Sequence, residues 1–496
     1  MSKATSCSVL LVFLAALLVG CGGGMSSPNQ PVTPNMVQAS LTIHDNPPMG
    51  VTVLSFDIEV TGAELQPSTS SSQQAVSMLS GPEDVELEHL QTQSALLASK
   101  SVPTGTYASL MVSFANPHMT IQNQTSGTLM LGGQNCVAQQ ICEFNPKLNQ
   151  SSVTLQGSPF PITLTMNSPV VLKMDFNVDT SVQNDLSITP TVSIVQVPTT
   201  NSGGQQDDED VEVVGKITSV TQPTFMVQSG MNGPSFTFTT DSNTQFDFGT
   251  SCSTNNFMCL QAGQIVEVEA KMQPDGSLLA FEVKLFQPPN EISFAGTITK
   301  VNSGGTSFQI VLFDEEAFGA EMGSVSMGSF SMGIPLTINL ATPTTFSIDN
   351  DGFMIPSSLT FAMPSDLMVG QKVRLHPTGA PTGMPPNVMI TVDQVQLEPS
   401  EVTGTVTATN TGSTPPTFTL GNLPSFFTSA GITSIQVDVL SNTRFETEED
   451  QMMSGMSSVQ TGDKVSVRGL LFNTMTTPTM VAEKVVKRSM SSGTSD

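Results

Sequence analysis

Leu54-Ser55-Phe56-Asp57-Ile58-Glu59-Val60 puts every apolar side chain on one face of an extended chain and every polar one on the other. That period of two predicts a half-buried β-strand, because the apolar residues of a helix would recur every three or four positions. The same reading extends along the chain. After Val102-Pro-Thr-Gly-Thr-Tyr107, a second strand is expected to turn Ala108, Leu110, Val112 and Phe114 toward the core, and shorter strands follow at 162–166, 170–178 and 191–197. Turns rich in Gly, Pro and Asn separate them, so residues 38–199 are read as an antiparallel β-sandwich, immunoglobulin-like or prealbumin-like. Tyr107, the only tyrosine, is expected to be a corner residue whose hydroxyl bonds backbone.

Beyond the sandwich the sequence repeats itself. Gly215-Lys-Ile-Thr-Ser-Val, Gly296-Thr-Ile-Thr-Lys-Val and Gly404-Thr-Val-Thr-Ala-Thr open three units. Asn243-Thr-Gln-Phe, Pro343-Thr-Thr-Phe and Asn442-Thr-Arg-Phe mark the middle of each, and a glycine turn at Gly263, Gly370 or Gly462 feeds an alternating strand. A closing strand ends each unit, at 279–285, 389–397 and 480–486. Landmarks recurring three times in one order indicate one supersecondary unit used serially. The units are placed at 211–288, 291–399 and 401–488. An acidic linker at 200–210, ending in Asp207-Asp-Glu-Asp210, precedes them, and a disordered tail at 489–496 follows. The fold class expected is therefore all-β.

Composition narrows the function. Across 496 residues, 16 Lys and Arg face 42 Asp and Glu, a formal net charge of −26. Nucleic-acid binding is excluded as an expectation, since it needs basic side chains to neutralise phosphates and no basic stripe exists. Only 12% of residues are charged and 38% are hydrophobic, a folded composition rather than an acidic disordered one.

The address is read from the amino terminus. An apolar run at 9–19, far too short to span a bilayer, ends in Leu18-Val19-Gly20-Cys21, which resembles the cleavage and lipidation site of bacterial lipoproteins. Residues 1–20 are then a signal peptide, Cys21 the acylated (palmitate-bearing) anchor, and 21–37 a flexible tether. The protein is expected to be exported and held to the cell envelope by covalent lipid, at the outer membrane by the Gly22 sorting criterion, periplasmic or surface-facing. Export favours disulfides, and the short separations suggest Cys136 with Cys142 and Cys252 with Cys259, leaving the crossed pairings open.

Together these residues resemble a class of uncharacterised bacterial lipoproteins in which a β-sandwich domain of unknown function precedes tandem OB-like β-barrel domains, also of unknown function. The likeness rests on the Leu54 strand, the Pro103, Gly105, Tyr107 motif, the strand at 172–178 and the repeat landmarks. It implies a fold and no catalytic residues.

Candidate chemistry is sparse. No His-Glu-x-x-His, Gly-x-Ser-x-Gly or phosphate-loop signature is present, and the four histidines share no ligand spacing. Asp349 and Asp351 lie in an incomplete calcium-loop pattern, and Met322 and Met332 would share one strand face as soft copper ligands. A tight turn and gap-filling thioethers account for these residues more simply. No cofactor is expected, and no enzyme activity. The function expected is non-catalytic display of tandem β-domains for binding or adhesion, with an envelope protein or polysaccharide as partner. Envelope metal binding, of calcium or copper, is the alternative, and hydrolysis of envelope polymers a third.

Overall fold

The alternating segment lies within the strand Thr52–Pro67, where Phe56, Ile58 and Val60 are fully buried. The computed structural model describes residues 35–46, 52–68, 73–92, 94–166, 168–197, 210–229, 233–248, 251–273, 275–287, 293–314, 333–349, 355–383, 387–447, 452–474 and 477–488. Thr52–Pro67 pairs antiparallel with Gly105–Gln122 to form the spine of a seven-stranded sheet. Facing it, Val192–Val197, Val170–Asn177, Met36–Asn46 and Ser94–Pro103 run side by side in that order. Phe56 and Phe114 both meet the ring of Phe176 edge-on between the sheets, at 5.8 and 5.5 Å. The sandwich core is thus built from the residues whose period announced it.

Three details differ from expectation. Met36–Asn46 pairs in parallel with Val170–Asn177, so the sandwich is not wholly antiparallel. That strand also begins inside the segment assigned to the tether. Ala108 is exposed, because a register irregularity sets Gln66 opposite Ser109 and Pro67 opposite Tyr107. The irregularity turns Tyr107 inward instead, where it is fully buried and its hydroxyl donates to the Pro103 carbonyl at 2.8 Å. Tyr107→Phe keeps the ring and orphans that carbonyl. It should cost about 1 kcal/mol in urea unfolding, and an unchanged midpoint would remove the corner role.

The three repeats share one topology. In the second, Phe294–Val301, Ser307–Asp314, Pro335–Ile348, Lys372–Pro377 and Val388–Glu398 close into a barrel in which the third strand pairs with the fifth in parallel. Ser400–Asn410, Thr417–Gly421, Ile435–Thr447, Lys464–Phe472 and Thr479–Lys487 close identically. In the first repeat Asp210–Thr221, Thr224–Ser229, Ser235–Thr239, Ile265–Met272 and Leu278–Gln287 form the same circuit, with the third strand resumed as Gln245–Asp247. A five-stranded circuit of this order is OB-like.

The landmarks have physical causes. A Cβ built on Gly215, Gly296 or Gly404 would lie 2.1, 2.7 or 2.9 Å from a carbonyl of the neighbouring strand, so each opening glycine permits a close approach. Gly263, Gly370 and Gly462 adopt φ of +97°, +89° and +100°. Each donates its N–H at 2.8 Å to the first strand of its barrel, at Ile217, Ile298 or Val406. Two mid-unit threonines, Thr244 and Thr443, donate at 2.7 Å to Ala280 and Ala482 of the closing strands.

Cys136 is joined to Cys142 and Cys252 to Cys259. The first bridge ties the hairpin Leu129–Leu131 and Gln134–Cys136 to Ile141–Phe144, and the second closes a loop of the first barrel. Each short loop contributes about 2 kcal/mol on the chain-entropy account.

The barrels do not string out beyond the sandwich; the described residues from Met36 onward belong to one compact unit. The first barrel extends a sandwich sheet, its Val211 and Glu212 pairing in parallel with Ser94 and Ala95. The second covers the polar face of the Leu54 strand, where Thr120 donates to Gly333 at 2.6 Å and Ser55 is fully buried. The third touches the same sheet through Thr52 and Ser425. Leu470, Phe472 and Val481 of the third barrel also enter the second barrel's core.

Candidate functional site

Polar side chains on the outer faces of the barrels mark where the domains meet. Ser466, Arg468 and Arg488 of the third barrel are buried, 0%, 5% and 4% exposed, although they lie outside its apolar core. Opposite them stands the sandwich turn Leu87–His89 with the residues that follow. Thr403 donates to the Gln91 side-chain oxygen at 2.6 Å, Arg488 donates to the Gln91 carbonyl, and Thr92 donates to Glu401. Arg488 Nε also donates to Ser466 at 3.0 Å.

A third domain closes the junction. On the first barrel, Glu212 and Glu269 face each other across adjacent strands, with Glu267 next to them; one carboxylate oxygen of each lies within 4.8 Å of the others. The guanidinium of Arg468 answers this charge. Its Nη2 lies 3.9 Å from Glu269, and its Nε donates to Glu483 at 2.9 Å. Burial works against the charge of Arg468, yet Glu483, Glu212, Glu269 and Glu401 hold its pKa well above the ordinary range.

Acids outnumber bases in this junction, and burial pushes several carboxyls upward. Glu269 rises well above the usual carboxylate range through burial and then Glu483, with Arg468 opposing. Glu88 rises well above it through burial, Glu86 and Glu401, while a bond from Gln91 opposes. Burial also raises Glu401 against Arg468 and the Thr92 bond. At the neighbouring contact of sandwich and first barrel, burial brings Glu83 up to about 7, opposed by a hydrogen bond from Ser229 at 3.1 Å. A carboxyl raised in this way gives up its proton at a higher pH than an exposed one, and Glu212, Glu267 and Glu269 could also receive a cation.

The residues singled out from sequence lie elsewhere. Leu18, Val19, Gly20, Cys21, Met322, Met332 and Asp351, with the linker up to Glu209, fall outside the described residues. Asp349 is 5% exposed and bonded to Lys284 of the first barrel, so its carboxylate joins two barrels. His376 bonds Asp393 at 2.7 Å. Sequence reasoning missed Glu88, Glu269, Glu401 and Arg468. The available signal was Val465-Ser-Val-Arg468, where an arginine takes an outward strand position in a chain holding few basic residues.

Fold and junction together define a multidomain β-protein, a sandwich consolidated with three OB-like barrels. Comparison with known families places two of its parts. Residues 37–190 match Domain of unknown function (DUF4382), and residues 214–284 match Domain of unknown function (DUF5666). No curated protein matches the chain. A solved structure described as "drosophila Unr CSD456" is 10% identical, with 57% of this chain and 99% of that chain covered at a TM-score of 0.13. A Streptococcus pneumoniae multidomain protein with nucleic acid binding domains is 8% identical, with 55% and 73% covered at a TM-score of 0.11. Neither likeness bears on what this chain binds.

Proposed function

We propose that this chain is an exported, lipid-anchored envelope protein that binds a partner through fixed β-domain surfaces and performs no chemistry on it. The observation that carries the exported part is the pair of disulfides, since such bonds persist in oxidising compartments. The Leu18 to Cys21 sequence supports attachment by covalent lipid, with palmitate among the acyl chains. Close domain packing supports a single head in which binding surfaces hold fixed relative positions, rather than a flexible array gaining avidity through linkers. The partner class we favour is an envelope protein or polysaccharide.

Cys21→Ala is the direct test. The variant is expected to leave the membrane fraction and to lose incorporated palmitate, and unchanged fractionation would remove the anchor. Crosslinking in intact cells, read by mass spectrometry, then asks what the head touches. Cation binding stands second, drawing on Glu212, Glu267 and Glu269. Arg468 beside them already supplies positive charge. Heat released on titrating calcium into the protein, and lost in Glu267→Gln, would reverse that order.

A further inference from the structure

Two carboxyls from different domains face the same contact, each with a buried oxygen that no donor among the described residues reaches. Glu88, in the turn Leu87–His89, accepts from Gln91 Nε2 at 3.3 Å through Oε2, and its Oε1 is buried without a hydrogen bond. Glu401, on the first strand of the third barrel, accepts from Thr92 through Oε1, and its Oε2 is likewise buried and unbonded. A buried anionic oxygen without a donor is costly, whereas a protonated carboxyl needs fewer partners.

The positive groups nearby have other commitments. Arg468 lies directly across the strand pair from Glu401 but bonds Glu483 and approaches Glu269. Arg488 bonds Gln91 and Ser466. Lys372 acts on Glu401 from the second barrel and lies 3.9 Å from Glu398. Glu86, whose Oε1 accepts the Phe56 N–H at 2.7 Å, adds negative charge beside Glu88.

We propose that the seam between the sandwich segment 87–92, which carries Glu88, and the first strand of the third barrel, which carries Glu401, is a pH-sensitive latch, closed while these carboxyls hold their protons and loosened when the protons leave. The direction of the titrations agrees. Burial first, then Glu86 and Glu401, raise Glu88; burial raises Glu401 over the opposition of Arg468. A carboxyl raised on folding contributes stability that is complete below its unfolded value and lost as pH rises through its folded value. The latch is therefore tight in acid and loosens as pH rises. What it would expose is the Gln91, Thr403 and Arg488 contact, the polar seam between the two domains. This inference does not depend on the lipid anchor or on the partner.

The test is hydrogen exchange by mass spectrometry on the whole folded chain at pH 5.5, 7.0 and 8.5, corrected for intrinsic rates. Peptides covering residues 86–92 and 400–407 should lose protection roughly tenfold or more from the lowest to the highest pH, a shift of at least one unit in log protection. A core peptide at 480–486 should not follow. Glu88→Gln and Glu401→Gln mimic the neutral carboxyl, so each should keep most of the low-pH protection at pH 8.5. Uniform protection in the parent chain overturns the latch, as does a pH response that survives in both variants. Failure of both to fold overturns it too, because Gln has the shape and neutrality of the protonated side chain.

Discussion

Arg468→Ala is expected to destabilise the molecule by about 3 to 5 kcal/mol, the range for deleting one partner of a buried ion pair. The loss should be larger at pH 8 than at pH 5. Arg468 is 5% exposed and serves Glu483 at 2.9 Å and Glu269 at 3.9 Å, with Glu212 and Glu401 also pulling on its charge. Its removal leaves several carboxylates facing one another in a low-dielectric seam. Acid relieves this by protonating Glu269, which burial and Glu483 already hold well above the usual range. Arg468→Lys retains the charge and loses the planar fork, so it should fall between the two. Urea unfolding at both pH values measures the effect. A loss below about 1 kcal/mol, typical of exposed pairs, would show that the junction is solvated.

The acid side of the stability profile belongs to another buried group. Glu398 of the second barrel is 3% exposed and bonded to Arg374, with Lys372 at 3.9 Å. Burial works against its charge, but Arg374, Lys372 and Lys284 outweigh it and hold its pKa below the ordinary 4.5. A depressed carboxyl contributes stability above its unfolded value and loses it as pH falls through its folded value. Glu83 has the opposite sign. Its contribution is complete below 4.5 and fades as pH rises to about 7. These opposed signs predict a stability maximum in mild acid, between the two windows, which urea unfolding across the pH range would locate.

Elements with a local signature were legible in the sequence. Leu54 to Val60 carried its period, the repeats carried glycines that sterics demand, and the short spacings of Cys136, Cys142, Cys252 and Cys259 matched their loops. The docking of the domains was not legible. Ser55 and Thr120 alternate with apolar residues as solvent-facing positions do, yet both are fully buried against another domain. Alternation separates two faces of a strand and says nothing of whether water or a polar surface meets the second. Ala108 failed for a related reason. A one-residue irregularity reverses the faces, and nothing in the residues near Ala108 announces it. The junction carboxyls were hidden likewise, since Glu88 and Glu401 come from segments more than three hundred residues apart and each reads as ordinary surface charge.

Gly215→Ala should be a severely damaging change in the first barrel, at more than about 3 kcal/mol, because overpacking against backbone cannot be relieved by a rotamer change. The added Cβ would lie 2.1 Å from the Gln228 carbonyl oxygen and 2.9 Å from a Val227 methyl. Gly215 pairs with Ser229 on one side and Val266 on the other, so the strand cannot retreat without breaking the circuit. Gly263 in the same barrel makes the control. Its φ of +97° disfavours a side chain, but nothing lies within 4 Å of its Cβ position, so Gly263→Ala should cost only about 1 to 2 kcal/mol of backbone strain. Thermal unfolding of the two variants separates the causes. Equal losses would mean that the opening glycine is required for its conformation alone, whereas the larger loss at Gly215 identifies strand-to-strand approach as the constraint that makes glycine open every barrel.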